Sequence, residues 1–278
     1  MEHWEGEITG EQGIRIWCQS WRPEAPKAVL VVIHGLGEHS GRSGHVVDYL
    51  VPRGYAIYAL DHRGHGRSGG QRGHVGRFAE FTADLRRLIE RVQAAEPGQP
   101  IFLLGHSLGG TIALQYALEH PHGLAGVIAS SPGLARKFKV PRAKLFLGRL
   151  MSVLWPTLTF HSGLPADQLS HDPQVASAYT SDPLVHDLVT ARLFTEVTRA
   201  GEAVLARAQD LKLPCLLLGS DNDPLVDSEA VRRFYAAVGT PDKALRLYEG
   251  FYHECFNEIG RERPLADLTT WLEAHLPT

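Results

Sequence analysis

Short apolar runs alternate with helical patterns along most of this chain, and this alternation constrains the fold more than any other feature. Nearly continuous apolar runs are typical of strands covered on both faces of a sheet, and they occur at 28–33, 55–60, 101–105, 126–130, 213–219 and 244–249. Helical patterns lie between most of them, at 43–53, 78–95, 108–119, 227–237 and 264–275. The alternation predicts a mostly parallel sheet with right-handed crossovers and helices on both faces.

Two regions depart from this alternation. Residues 4–9 and 14–21 alternate apolar and polar positions around glycines, which predicts an antiparallel hairpin at a sheet edge. Residues 135–207 separate two core strands by far more than a crossover needs. We therefore expect a core built from residues 1–134 and 208–278, interrupted by a mainly helical cap at 135–207. Helical patterns within the cap lie at 145–155 and 185–207.

Composition excludes several classes of function. The net charge of −3 offers no basic surface for nucleic acid. Three cysteines without a CxxC spacing, and histidines without a zinc-site spacing, indicate neither a disulfide framework nor a bound metal. No stretch approaches the roughly 18 apolar residues of a membrane span, and the first residues lack the apolar segment of a signal peptide. We expect a soluble, cytoplasmic protein without a nucleic-acid partner.

Two serines share the spelling Gly-x-Ser-x-Gly: Ser107 in LLGHSLGG and Ser68 in GRSGG. Ser107 follows an apolar strand and precedes a helical pattern, so we expect it on a sharp strand-to-helix turn that exposes its hydroxyl above the sheet. Its neighbour His106 is expected to point away and pack. Ser68 has neither flank and is expected to be a loop residue. Ser107 is therefore the predicted nucleophile.

A serine hydroxyl needs a base to take its proton and an acid to orient that base. His253 follows the last core strand, from where a loop can return it to the serine. Three acids follow the preceding strand in GSDNDPLVD. Asp227 is placed as the N-cap of the next helix, whereas Asp223 precedes Pro224, which favours an extended backbone at the strand exit. We predict His253 as the base and Asp223 as the acid, with Asp221 as the alternative.

The segment HGLGEHSGR follows the strand 28–33, and its glycines allow the loop to approach Ser107. Tetrahedral intermediates of acyl transfer are stabilised by backbone N–H groups placed around the developing oxyanion. In a strand–turn–helix arrangement these donors come from the residue after the nucleophile and from an earlier loop. We predict that the N–H groups of Leu36 and Leu108 form this oxyanion hole.

Taken together, these motifs resemble the monoacylglycerol lipase family of α/β hydrolases, which includes enzymes also described as lysophospholipases. The resemblance runs from about residue 5 to the C terminus. It is carried by HGLGEHSGR, LDHRGHGRSGGQRGHV, GHSLGG, SSPGL, LSHDPQV, YTSDPLVH, GSDNDPLVD and YEGFYHE. It implies an α/β-hydrolase fold with a mostly parallel central sheet and an inserted helical cap. Its site residues are those already assigned: Ser107, His253, Asp223, Leu36 and Leu108.

One departure from the family pattern concerns the acid. The stretch from Gly219 to Asp223 is one residue longer than the usual Gly-x-x-Asp. This keeps Asp221 as an alternative.

The resemblance implies hydrolysis of the ester of a single acyl chain on glycerol, without a metal or organic cofactor. It also implies a cap that forms an apolar tunnel and makes transient contact with a membrane surface. The segment LFLGRLMSVLW places Leu147, Leu150 and Met151 on one helical face suited to the tunnel. The same stripe is equally typical of the cap's own core.

Three polar residues are candidates for the pocket around the glycerol: Glu38, Arg42 and Tyr179. A Glu38–Arg42 pair that braces the loop is an equal alternative. Two other functions stay open at this point. The same residues could hydrolyse a lysophospholipid or a simple carboxylic ester, and some proteins of this fold are non-catalytic binding proteins.

Overall fold

A computed structural model describes residues 1–138 and 140–277, with all of their side chains except those of Arg142 and Lys144. The strands are β1 (Glu2–Thr9), β2 (Arg15–Arg22), β3 (Ala28–Ile33), β4 (Tyr55–Leu60), β5 (Ile101–His106), β6 (Gly126–Ser130), β7 (Thr159–His161), β8 (Leu188–Thr190), β9 (Cys215–Ser220) and β10 (Lys243–Tyr248). The helices are α1 (Gly44–Leu50), α2 (Ala79–Ala95), α3 (Leu108–Glu119), α4 (Arg142–Leu154), α5 (Pro173–Ser181), α6 (Ala191–Ala206), α7 (Ser228–Ala237) and α8 (Glu262–Ala274).

Eight of these strands form one sheet in the order β1-β2-β4-β3-β5-β6-β9-β10. The last six strands in this order, β4, β3, β5, β6, β9 and β10, run parallel to one another. The β1–β2 hairpin is antiparallel and lies at one edge, where β2 also pairs antiparallel with β4. The sequence prediction of a mostly parallel sheet with an antiparallel hairpin at its edge is confirmed.

Helices cover both faces of the sheet, and β3 shows why its sequence is apolar throughout. Successive side chains of a strand point to opposite faces. Val29 and Val31 therefore pack in one core cluster with side chains of α2, α3 and α7. Leu30 and Val32 pack in a second cluster with side chains of α1 and α8. A strand buried on both faces needs apolar residues at every position.

Between β6 and β9 the chain forms α4, β7, α5, β8 and α6, and β7 pairs with β8 in a separate two-stranded sheet. Helix α6 buries Leu193 and Val204 in the core cluster of the α2 and α3 face. The prediction of one helix over 185–207 was wrong at its start, because Leu188–Thr190 pair as β8. Thr190 then caps α6, its hydroxyl oxygen accepting a hydrogen bond from the Leu193 N–H at 3.2 Å.

Helix α4 spans Arg142–Leu154, close to the predicted 145–155, whereas α5 and the β7–β8 pair were not predicted. Among the helices in the described ranges, none combines the length and the apolar character that crossing a bilayer requires.

Candidate active site

The carboxyl ends of β3, β5, β9 and β10 lie at the same edge of the parallel sheet. Each of these strands leads into one predicted site residue: Leu36 follows β3, Ser107 follows β5, Asp223 follows β9 and His253 follows β10. In open α/β sheets this edge is where ligands bind. The topology therefore gathers residues that are far apart in the sequence.

Ser107 forms the turn between β5 and α3, and its backbone is strained. Its φ of 52° and ψ of −115° lie in a region that L side chains rarely adopt. Its N–H donates to the Ser130 carbonyl oxygen at 2.9 Å, which holds the turn against β6. Neighbouring glycines make the turn possible, because a Cβ at Gly105 would collide with the Gly109 carbonyl oxygen, and a Cβ at Gly109 with that of Ile33.

Ser68, which shares the spelling, lies in a loop and is 3% exposed. Its hydroxyl donates to the Asp61 carbonyl oxygen at 2.6 Å and accepts from the Trp17 N–H at 2.8 Å. The hydroxyl thus donates within the loop that follows β4 and accepts from β2, which joins this loop to β2.

His253 and Asp223 form a buried pair, with 2.8 Å between His253 Nδ1 and Asp223 Oδ2. The other carboxylate oxygen accepts hydrogen bonds from the N–H groups of Leu225 and Val226 at 2.8 and 3.0 Å. Burial opposes ionisation of Asp223, but the charge of His253 and these hydrogen bonds hold its pKa below the ordinary value. Burial also acts to lower the pKa of His253, yet the Asp223 carboxylate raises it above the ordinary 6.5.

The Asp223 bond assigns the proton of neutral His253 to Nδ1, which leaves Nε2 free to act as an acceptor. Ser107 and His253 line the same two cavities, one small with a mixed polar and apolar lining and one large and apolar. The structure thus brings the predicted nucleophile and base to a shared site.

The other two acids of this loop have different partners. Asp221 is partly exposed, and its Oδ1 accepts from the Gly250 N–H at 3.4 Å. Asp227 caps α7 by accepting from the Glu229 N–H at 3.1 Å, as predicted. It is Asp223 that contacts the His253 ring, and the longer loop is accommodated by a turn in which the Asn222 N–H donates to Ser220 Oγ at 3.2 Å.

The loop after β3 passes close to Ser107. A Cβ at Gly35 would lie 3.3 Å from the Ser107 Cβ. Glu38 Oε1 accepts from the Gly35 N–H at 2.9 Å, and the His186 N–H donates to the Gly37 carbonyl oxygen at 2.9 Å. The loop is therefore fixed by a side chain within it and by the chain between α5 and β8.

Leu36 in this loop and Leu108 at the start of α3 both line the apolar cavity beside Ser107 and His253. The first N–H groups of a helix have no intrahelical partner, and the helix dipole favours negative charge there. The position of Leu108 is thus suited to donating a hydrogen bond to an anionic oxygen at Ser107.

A polar cluster lies on one side of Ser107. Glu38 Oε2 accepts from Arg42 Nε at 3.0 Å, and an Arg42 terminal nitrogen donates to both carboxylate oxygens of Glu254 at 2.8 Å. The guanidinium carbon lies 4.8 Å from the centre of the Tyr179 ring. Burial acts to lower the pKa of Arg42, but the two carboxylates raise it. One buried cation is thus shared by two buried carboxylates.

Of the three predicted glycerol-pocket residues, Glu38 and Tyr179 line the small cavity with Ser107 and His253. Arg42 lies behind them as the partner of Glu38. Because Glu38 also accepts from the Gly35 N–H, the geometry shows bracing of the loop as well as lining of the cavity.

Ligand-type atoms of Glu38, His106 and Glu254 lie within 4.8 Å of one another, as they would around a metal ion. The Arg42 guanidinium already bonds to both carboxylates. Its positive charge occupies the role that a cation would play, so these residues do not fit a metal.

An apolar cavity of about 360 Å³ lies on the other side of Ser107. Residues between β6 and β9 supply most of its apolar lining: Phe138, Val140, Phe160, Leu164, Val189, Leu193, Phe194 and Val197. The remainder comes from Leu36, Leu108, Leu225 and Val226. A cavity of this size and character is suited to an extended hydrocarbon chain.

The structure does not bring Leu147, Leu150 and Met151 into this cavity. Leu147 and Leu150 are 54% and 40% exposed on α4. The face of α4 that meets α6 carries Gly148, where a Cβ would lie 3.8 Å from the Phe194 ring, and the buried Ser152. Leu147 and Leu150 thus point outward while Met151 is partly buried, and none of the three lines the cavity.

Comparison with known proteins agrees with this architecture. Residues 24–260 match the family described as Hydrolase_4, "Serine aminopeptidase, S33". The chain is 35% identical over 277 residues to a monoacylglycerol lipase of Mycolicibacterium smegmatis, with 98% of each chain covered. The crystal structure of Paleococcus ferrophilus monoacylglycerol lipase matches with a TM-score of 0.84 at 33% identity, over 99% of this chain and 100% of that one. This chain belongs to the monoacylglycerol lipase family of α/β hydrolases.

A third relative, phospholipase YtpA of Bacillus subtilis, is 32% identical over 245 residues, covering 87% of this chain and 94% of that protein. Membership of the monoacylglycerol lipase family makes this chain a serine ester hydrolase.

Two polar residues of the site were not predicted in this member of the monoacylglycerol lipase family. Glu254, adjacent to His253, completes the Arg42 cluster. His106 was expected to point away from Ser107 and pack. It does pack, with its ring centre 4.8 Å from that of His253 and its Nε2 3.9 Å from Glu38 Oε1, but it also lines the small cavity beside Ser107. A charged residue directly after His253 was the signal available in the sequence.

Proposed function

We propose that this chain hydrolyses monoacylglycerols to a free fatty acid and glycerol through an acyl-enzyme on Ser107. The observation that carries the proposal is the position of Ser107 and His253, where the large apolar cavity meets a small cavity whose lining includes the polar side chains of Glu38, Tyr179 and Glu254. A monoacylglycerol has the same division, with one hydrocarbon chain and one small headgroup rich in hydroxyls. The names of the M. smegmatis and P. ferrophilus relatives support the same substrate class.

The reaction begins when His253 Nε2 takes the proton of Ser107 as the serine oxygen attacks the acyl carbonyl carbon. Asp223 stabilises the imidazolium through its bond to Nδ1, and the N–H groups of Leu36 and Leu108 donate to the oxyanion. His253 then gives the proton to the glycerol oxygen as the ester C–O bond breaks. Water attacks the acyl-enzyme with His253 again as base, which releases the fatty acid and restores Ser107.

Residues 135–207 act as a cap over this site. They supply most of the apolar lining of the large cavity. The proposed catalytic residues come instead from the two flanking stretches, 1–134 and 208–278. This division assigns the chemistry to the sheet edge and recognition of the acyl chain to the cap.

The cap also contacts a membrane surface transiently. Large apolar side chains are exposed on α4 and beside it: Phe138, Phe146, Leu147, Leu150, Val153, Leu154, Trp155 and Phe160. Val153 and Phe146 are 71% and 70% exposed. Extended exposed apolar patches mark interaction surfaces, and a monoacylglycerol partitions into bilayers. The patch and the acyl cavity belong to the same segment, so binding at the surface brings the cap to the substrate.

A hydrolysis panel tests the substrate class. It compares monoacylglycerols with a diacylglycerol, lysophosphatidylcholine and a p-nitrophenyl ester, all carrying the same acyl chain. We expect the highest kcat/KM for the monoacylglycerol. A preference for lysophosphatidylcholine would instead favour the phospholipase activity suggested by the name of the B. subtilis relative.

A further inference from the structure

Besides the large apolar cavity, a second cavity is lined by residues between β6 and β9; it has a volume of about 100 Å³ and lies between α4 and α6. Its lining includes Leu145 and Arg149 of α4 and Thr195 and Glu202 of α6. Arg136 and Phe194 line this cavity and also the large apolar cavity beside Ser107. Residues that face two cavities stand between them, so these two side chains form a partition.

The partition is held by directional contacts. The Arg136 guanidinium carbon lies 4.6 Å from the centre of the Phe194 ring, and a terminal nitrogen donates to Thr198 Oγ1 at 2.9 Å. Thr198 and Phe194 are four residues apart on α6 and therefore share a face. Phe194 also packs edge-on against Phe160, with 6.3 Å between ring centres. The backbone of Arg136 is bridged to Val226, which anchors the residue from the other end.

Among the described residues that line the apolar cavity, Arg136 is the one charged side chain, apart from the titratable His253. Burial lowers the pKa of its guanidinium, an effect that the charge of Glu202 opposes. A hydrocarbon chain that extended past Arg136 would have to displace its guanidinium from the Phe194 ring and from Thr198 Oγ1. The cation would then have neither contact. Exposing a cation to an apolar chain end is unfavourable.

We propose that Arg136 and Phe194 set the upper limit of acyl-chain length by closing the acyl cavity against the second cavity. The inference rests on the proposed function, in which the large cavity takes the acyl chain. Removal of either side chain joins the two cavities and gives longer chains a continuous path between α4 and α6.

The test uses the whole 278-residue protein and measures its kcat/KM for a series of saturated monoacylglycerols from octanoyl to stearoyl. It uses the wild type, Arg136→Ala, Phe194→Ala and the control Arg149→Ala. Arg149 lines the second cavity but not the partition. We expect a sharp fall in the wild-type profile beyond one chain length, and a ratio of palmitoyl to octanoyl activity that rises about tenfold in both partition variants. Arg149→Ala keeps the wild-type ratio.

Two results would overturn the partition. One is a wild-type kcat/KM that stays constant from octanoyl to stearoyl, a result that can be obtained without any variant. The other is an unchanged ratio in whichever partition variants retain the wild-type melting temperature.

The same acyl series presented as p-nitrophenyl esters separates this inference from the proposed function. If the wild type hydrolyses those esters but no monoacylglycerol, the substrate proposal fails, and the chain-length ratio still tests the partition.

Discussion

The two sides of Ser107 are built by different physical means. On the polar side, Glu38, Arg42 and Glu254 are linked by hydrogen bonds of 2.8–3.0 Å, so direction and charge fix their positions. On the apolar side, a cavity of about 360 Å³ is shaped, except at Arg136, by hydrocarbon and aromatic surfaces whose contacts have little direction. In the proposed function, the polar side, which would take the headgroup, is therefore specified by hydrogen-bond geometry, and the apolar side, which would take the acyl chain, by the size and shape of the cavity.

Ser107→Ala gives the largest expected effect, because it removes the proposed nucleophile, the hydroxyl that lies between the two sides. We expect kcat to fall by about 10⁴-fold or more for every ester tested, since the triad acts as a unit. The matched control is Ser68→Ala. Loss of its two buried hydrogen bonds should lower stability by about 1–3 kcal/mol and leave kcat near the wild-type value. Initial rates and thermal melts of both variants decide between the two serines.

Asp223→Asn should lower kcat by about 10⁴-fold, because an amide neither fixes the His253 tautomer nor stabilises the imidazolium. Asp221→Asn is the matched control, and its partly exposed side chain should leave the rate almost unchanged. Comparable losses in the two variants would contradict the assignment of Asp223.

The same pair of residues predicts the pH dependence. Neutral His253 is the active form, so kcat/KM should fall as the pH drops through a pKa that lies above 6.5. In Asp223→Asn the carboxylate that raises this pKa is lost while burial persists, so the acid limb of the residual activity should move to lower pH. A limb that stays in place would show that Asp223 does not set it.

Variants on the two sides of Ser107 should have opposite signatures. Burial raises the pKa of Tyr179 to about 12, so its hydroxyl is a hydrogen-bond donor at neutral pH. Tyr179→Phe should lower kcat/KM about fivefold for a monoacylglycerol and leave kcat/KM for the p-nitrophenyl ester of the same acyl chain unchanged.

Val197→Phe fills the acyl cavity and should lower kcat/KM about tenfold for a palmitoyl ester, with less effect on an octanoyl ester. If Tyr179→Phe affected the monoacylglycerol and the p-nitrophenyl ester equally, and Val197→Phe affected the palmitoyl and octanoyl esters equally, the two sides of Ser107 would not have different roles.

The smallest effect is expected at the outer surface of the cap. Replacing Phe146 and Trp155 with Ser should reduce co-sedimentation with phosphatidylcholine vesicles by severalfold, because both side chains are more than half exposed. Hydrolysis of a short p-nitrophenyl ester in solution is the control and should stay at the wild-type rate. Unchanged co-sedimentation would show that this exposed apolar patch does not mediate membrane binding.

The sequence was sufficient for the sheet, because strands covered on both faces leave runs such as AVLVVI that few other structures produce. It also placed Ser107, Asp223 and His253 at the edge where the structure brings them together. Inside residues 135–207 it located α4 and α6 but missed α5, β7, β8 and the partners of α4. The periodicity of α4 shows which face is apolar but not what that face meets, and the small Gly148 is what packs against Phe194.

The remaining omissions have the same origin. The β7–β8 pair depends on contacts between segments nearly thirty residues apart, and its strands have three residues each. Glu254 belongs to the polar cluster through Arg42, which lies 212 residues earlier in the chain. The position of Glu254 next to His253 is visible in the sequence, but its pairing with Arg42 and the pairing of β7 with β8 leave no local pattern.

Covalent labelling with a fluorophosphonate tests the central claim most directly, because this reagent captures a serine that is activated as a nucleophile. Mass spectrometry of the digested protein should place one adduct on the peptide that contains Ser107, and the adduct should be absent from Ser107→Ala. An adduct on Ser68 or on another residue, or an unlabelled protein that still hydrolyses esters, would contradict the account.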